Sequence, residues 1–273
     1  MFFILASVFL FGLVVGSFLN VVILRGNRGE SFFKGRSRCQ SCSKELAWFE
    51  LIPLVEFATG VLFAAAAWLF FIDSSSVILS ATKDLTITNT GILRGVYPEF
   101  IEWAQNDFFM QLFNFLGVLV IISAAIVILV SDTRWQIIPN GPVLILFLAG
   151  LVLTVWRAAV SGSFAYNFAI EFGSAFLVAF FFFALWFLSK GAWMGFGDVK
   201  LVFATSLILG FPVSVAAVLF SFWIGAIFGI LLLIFKKVNL KTRIPFGPFL
   251  LAGSAAAYFY SETALWYIGL SSV

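Results

Sequence analysis

Leu116 to Asp132 reads LGVLVIISAAIVILVSD, sixteen uncharged residues closed by an aspartate. With the residues just before it the run becomes a span over 111–131, about the 20 residues that a 30 Å hydrocarbon core requires of a helix. Similar runs recur along the chain, and they predict further spans near 2–24, 52–72, 142–157, 167–189, 199–211, 213–235 and 248–270. The fold class is therefore all-α, a polytopic integral membrane protein of about eight transmembrane helices. Composition agrees, since 62% of the 273 residues are hydrophobic and 11% are charged, with a mean hydropathy of +1.10. None of these figures suits a soluble domain.

Charge sets the orientation. The segment 25–50 carries Arg25, Arg28, Lys34, Arg36, Arg38 and Lys44, and 236–243 carries Lys236, Lys237, Lys241 and Arg243. Arg134 and Lys190 occupy the two other connections on the same side, and Asp73, Asp84, Glu99, Glu102 and Asp107 fill the segment 73–110 opposite. Basic loops stay in the cytoplasm, so both termini are expected outside. No basic residue precedes the first run, and Arg25 and Arg28 follow it, the reverse of a cleaved signal peptide, so it is expected to remain a helix. The whole chain, 1–273, reads as a single membrane-embedded domain with a cytoplasmic loop 25–51 and an outer loop 73–110. The net charge of +3 reflects topology, and no nucleic-acid partner is expected. The span 199–211 is short, and Gly210 with Pro212 predicts a tight turn into the next helix.

There is no histidine. That removes a Ser-His-Asp triad, a Cys-His pair and an HExxH zinc site, and leaves acid–base work to carboxylates, Lys, Tyr or Cys. Two aspartates stand out at one predicted membrane depth, on the cytoplasmic side: Asp132, and Asp198 within MGFGDVK. Paired carboxylates can hydrolyse a peptide when one is ionised to deprotonate a water and the other is protonated to polarise the carbonyl, and closeness enforces that state. Gly195 and Gly197 would let a substrate backbone approach, and the N-terminus of the following helix would favour an ionised Asp198 as the base. Position alone equally allows Asp132 to cap its loop and Asp198 to cap its helix.

Five ordered stretches weigh on that choice: GLVVGSFLNVVILR (Gly12 to Arg25), SRCQSCSKELAWFELIPL (Ser37 to Leu54), DTRWQIIPN (Asp132 to Asn140), MGFGDVK (Met194 to Lys200) and IPFGPFLLAG (Ile244 to Gly253). Together they resemble the type IV prepilin peptidases, a family of GxGD-type intramembrane aspartyl proteases, over most of the chain apart from 73–110. The resemblance implies an inner-membrane endopeptidase that removes the basic leader of type IV prepilins or type II secretion pseudopilins on the cytoplasmic side. Asp132 and Asp198 match the family's catalytic aspartates. Proteolysis of that kind requires no cofactor.

Many members also N-methylate the product with S-adenosylmethionine and carry two CxxC pairs in the first cytoplasmic loop. This chain has one, Cys39 and Cys42, and IPLVEF (Ile52 to Phe57) joins what flanks the second pair in such relatives. Two thiolates fall short of a structural zinc site, which wants four ligands, unless carboxylates or a second chain contribute, so Cys39 and Cys42 are a candidate metal site only with such help; a cytoplasmic disulfide is disfavoured. Asn140 also replaces a second acidic residue of many relatives. Glu56 matches a family glutamate and can receive the leader or the pilin segment or make a hydrogen-bonded helix contact; Lys200, grouped with it as substrate-positioning, can hold a carboxylate ionised or snorkel. Glu171 reads as structural, and Gly225 with Gly229 as a close helix contact. Two other functions fit parts of the pattern: a relative that binds pilin precursors without cleaving them, and a small ion-coupled transporter using buried acids, which predicts internal repeats that are not visible. Membrane lipid is the remaining partner, and neither the substrate pilin nor an oligomeric state is legible.

Overall fold

In bilayer hydrocarbon every backbone polar group must be satisfied within the protein, and a helix does so within one segment. The computed structural model describes residues 2–26, 54–70, 93–235 and 244–260, with backbone alone at 2 and 93–111. Among these it contains eight helices and no strand: α1 (Phe2–Gly26), α2 (Leu54–Phe70), α3 (Leu93–Trp135), α4 (Asn140–Val160), α5 (Phe164–Leu188), α6 (Phe196–Leu209), α7 (Val213–Ile234) and α8 (Gly247–Phe259). Within them Phe3–Gly26, Leu112–Trp135, α4, α5 and α7 are long and apolar enough to cross a membrane, and α2 and α8 are shorter apolar helices. The chain is a polytopic, all-helical membrane protein.

α3 departs from the expected boundaries. It begins at Leu93, inside what the sequence suggests is an outer loop. The stretch 93–111 carries Arg94, Glu99, Glu102 and Asp107, so it lacks the continuous apolarity of a span. Helix formation asks only for intrachain hydrogen bonds, which charge does not prevent, and the membrane-spanning part still begins at Leu112.

Two compact units divide the chain, residues 1–123 and 124–273. In the first, α1 and α2 meet through small residues. A Cβ on Gly12 would lie 2.7 Å from Gly60 Cα, and one on Gly16 2.7 Å from Glu56 Cα. Such approach maximises dispersion contact between helices that gain no hydrophobic drive in lipid. Glu56 is half-buried at this contact. Arg25 closes α1 and is buried.

In the second unit α6 is the central element, packed against α4, α5, α7 and α8. Val199, Leu201, Val202, Ala204, Thr205 and Leu207 are all buried, on several sides of the helix, as suits a central helix. Gly150 lets α4 close on it: a Cβ there would sit 2.7 Å from Leu207 Cβ. Between α7 and α8 the equivalent close approach is Gly253 against Ser221. The pair singled out from sequence, Gly225 and Gly229, does not carry the packing; Gly225 meets Phe249 only at ordinary contact distance, and Gly229 has open space around it. A four-residue spacing marks one face of a helix but not whether a partner lies on that face.

α6 ends where expected. Gly210, at φ +73°, donates its N–H to Ser206 O at 2.9 Å, and α7 starts at Val213. The last carbonyls of α6 are capped from outside the helix. Arg157 of α4 donates to Leu207 O at 2.7 Å and to Ile208 O at 2.9 Å, and its Nε donates to Glu171 of α5 at 2.7 Å. A cation at a helix C-terminus is favourable, and Glu171 balances its charge, which bears out the structural reading of that acid.

Candidate active site

Asp132 lies in the last turn of α3, not beyond it, and is 5% exposed. The helix stops four residues later, where Gln136 turns to φ +54° while its N–H still donates to Asp132 O at 2.9 Å. Residues 137–139 then lead into α4 at Asn140. Asp198 is the third residue of α6, because the helix begins at Phe196, earlier than the apolar pattern suggests. It is 8% exposed.

Each carboxylate accepts a backbone N–H. Asp198 Oδ2 takes the N–H of Gly195 at 3.1 Å, reaching back across the first turn of its own helix. Asp132 Oδ2 takes the N–H of Gly247, the first residue of α8, at 3.0 Å and in a buried position. Both acids therefore sit at helix N-termini, α6 for one and α8 for the other, where unpaired N–H groups and the helix dipole favour negative charge. Asp198 precedes the predicted span 199–211. Burial first, and then the negative charge of Asp132, push its carboxyl up to about 6, against the lowering effect of the Gly195 N–H. Two acids far apart in sequence thus meet closely enough for one charge to act on the other.

The glycines flanking Asp198 have different surroundings. A Cβ on Gly195 would have room, the nearest atom being Asp198 Oδ2 at 3.6 Å. A Cβ on Gly197 would stand 2.9 Å from Ile138 Cβ, so the space without a side chain is taken by the loop that follows Asp132. Lys200 Nζ donates to Asn140 Oδ1 and lies 5.4 Å above the centre of the Phe196 ring. Phe196 in turn meets Trp186 at 5.0 Å. Lys200 is thus engaged with the start of α4 and does not simply extend to the interface. Glu56 belongs to the first unit. Cys39 and Cys42 lie outside the described residues, and among the described residues no three His, Cys, Asp or Glu side chains gather as a metal site.

Gly247 is a functional residue that the sequence alone does not single out. Its signal is present in the Gly-Pro of IPFGPFLLAG, a helix start with proline in the first turn, but nothing in the pattern says which carboxylate that start would face.

The Bacterial Peptidase A24 N-terminal domain model matches residues 10–62, and the Type IV leader peptidase family model matches residues 119–230, with both aspartates inside the second. The chain belongs to the type IV leader peptidase family. Its relatives include proteins named prepilin leader peptidase/N-methyltransferase. That of Bacillus subtilis (strain 168) is 27% identical over 96% of each chain. That of Legionella pneumophila is 28% identical over 95% of this chain and 93% of its own. That of Myxococcus xanthus (strain DK1622) is 30% identical over 84% of this chain and 64% of its own. No solved structure matches. Membership makes the chain a multi-pass membrane peptidase, in accord with the resemblance carried by its five motifs.

Proposed function

We propose that the chain is an aspartyl endopeptidase that removes the basic leader from type IV prepilins or type II secretion pseudopilins, with Asp132 and Asp198 as its catalytic pair. The observation that carries this reading is the electrostatic meeting of two buried carboxylates at the N-termini of α6 and α8. Such a pair resists double ionisation, shares one proton and titrates as a unit. The ionised member takes a proton from water, the resulting oxygen attacks the scissile carbonyl carbon, and the protonated member donates to the carbonyl oxygen. Collapse of the tetrahedral species breaks the C–N bond, and the proton held by the first carboxylate passes to the leaving amine. Gly195, and the N–H groups on both acids, keep the approach to the pair free of side chains and its negative charge stabilised.

The charge pattern supports cleavage on the cytoplasmic side of the inner membrane, with both termini outside. The reaction needs no metal. Methyl transfer from S-adenosylmethionine is a second reading, favoured by the names of the relatives and opposed by the single pair Cys39 and Cys42, which also leaves zinc two ligands short. Co-expression with a precursor pilin from the same organism tests both. Mass spectrometry of the pilin should show loss of the leader, and an added methyl group on the new N-terminus would establish the transferase. A precursor that co-purifies intact would instead favour binding without cleavage.

A further inference from the structure

The segment that links the two aspartates through space is short. From Asp132 the chain runs through Gln136 to Pro139, and two contacts stitch that connection to the first turns of α6 on either side of Asp198. Ile138 fills the place where Gly197 has no side chain. Asn140, the first residue of α4, receives the Lys200 ammonium on its side-chain oxygen. The lysine is fixed a second time by the Phe196 ring beneath it, and that ring is braced by Trp186 of α5. Neither contact touches a carboxylate, and both span the gap between the elements that carry one.

We propose that Asn140 and Lys200 form a clasp that holds the Asp132 connection against the start of α6 and so sets the spacing of the aspartate pair. They are positioning residues, not catalytic ones, and this role rests on the proteolytic reading above. An amide suits the task better than an acid would. It accepts the lysine's hydrogen bond without placing a third negative charge beside two carboxylates that must share one proton. The amide oxygen leaves the lysine charge uncompensated, and the Phe196 face supplies part of the stabilisation that a counter-ion would otherwise give.

The test is steady-state cleavage of a purified precursor by the full-length protein in liposomes, with Asn140→Leu, Lys200→Met, the double variant and Asn140→Asp. The clasp predicts that each single variant lowers kcat by about tenfold with KM within about twofold, the size expected for one charge-assisted hydrogen bond. The double variant should be no slower than the slower single one, because both remove the same contact. Asn140→Asp keeps the acceptor, so it should lose less rate than Asn140→Leu, and its added negative charge should displace the kcat–pH profile to higher pH. Wild-type kcat in both single variants, losses that multiply in the double variant, or a change confined to KM would overturn the clasp; the last would make Lys200 a substrate contact. Thermal melting of each variant accompanies the kinetics, and a kcat loss that simply follows the fraction unfolded also counts against it. Asp132→Asn and Asp198→Asn run alongside: if they abolish cleavage while the clasp variants behave as wild type, only the clasp fails.

Discussion

Gly247→Ala is a small change aimed at the contact between α8 and Asp132. A Cβ at this position would lie 2.6 Å from Asp132 Oδ2, 3.3 Å from its Cγ and 3.6 Å from its Cβ. Ordinary contact begins near 3.4 Å, so the carboxylate must withdraw by about 0.8 Å, a displacement of the order that costs roughly 100-fold when it moves a reacting group. Withdrawal also stretches the 3.0 Å hydrogen bond from the Gly247 N–H, and a bond to a charged acceptor contributes about 1.5–3 kcal/mol. The expected outcome is a 10- to 100-fold fall in kcat, from the same order-of-magnitude terms, with the precursor still bound. Single-turnover cleavage in liposomes measures it. Gly225→Ala serves as the comparison, because a Cβ there meets only Phe249, at 3.5 Å, and should leave the rate unchanged. Cleavage by Gly247→Ala at the wild-type rate would refute the positioning of Asp132 by α8.

Other outcomes follow from the same contacts. Gly197→Ala forces its Cβ to within 2.9 Å of Ile138 Cβ and should slow cleavage about tenfold; adding Ile138→Gly removes that Cβ and should restore part of the rate, which a gel time course can follow. Arg157→Met leaves the final carbonyls of α6 and the Glu171 carboxylate without their donor. The guanidinium is partly exposed, so a loss of about 1–2 kcal/mol is expected, read as a fall of a few degrees in the melting temperature in detergent. Asp198→Asn should stabilise the fold in a pH-dependent way. A carboxyl raised from 3.8 to about 6 contributes stability below its unfolded value that is lost as pH rises through about 6. The variant should therefore melt above wild type at pH 8 and alongside it near pH 4, and parallel melting curves across that range would show that the carboxylate is not held under this tension.

Much of the membrane architecture is legible because a bilayer demands long apolar runs. α4, α5 and α7 and the spanning parts of α1 and α3 follow directly, and Asp132 and Asp198 are visible as charges at the ends of such runs. The helix over 93–111 is not visible that way, since hydropathy reports crossing and not helicity. Long-range partners are hidden for a different reason. Gly247 meets Asp132 across 115 positions of sequence, and Arg157 meets Leu207 across 50; the linear pattern shows one as a helix start and the other as a charge at the end of an apolar run. Lys200 is similar, because a lysine near an interface ordinarily snorkels, and only the fold reveals Asn140 beside it.

Catalysis by an aspartate pair requires both carboxylates at once. Purified wild type, Asp132→Asn, Asp198→Asn and the double variant, each in liposomes with the same precursor pilin, give the most direct measurement: the single-turnover rate of leader removal. Each single variant should lose about a thousandfold or more, and the double variant should lose no more than either, because residues that act as a unit do not contribute additively. Leader removal near the wild-type rate by either single variant would contradict the account.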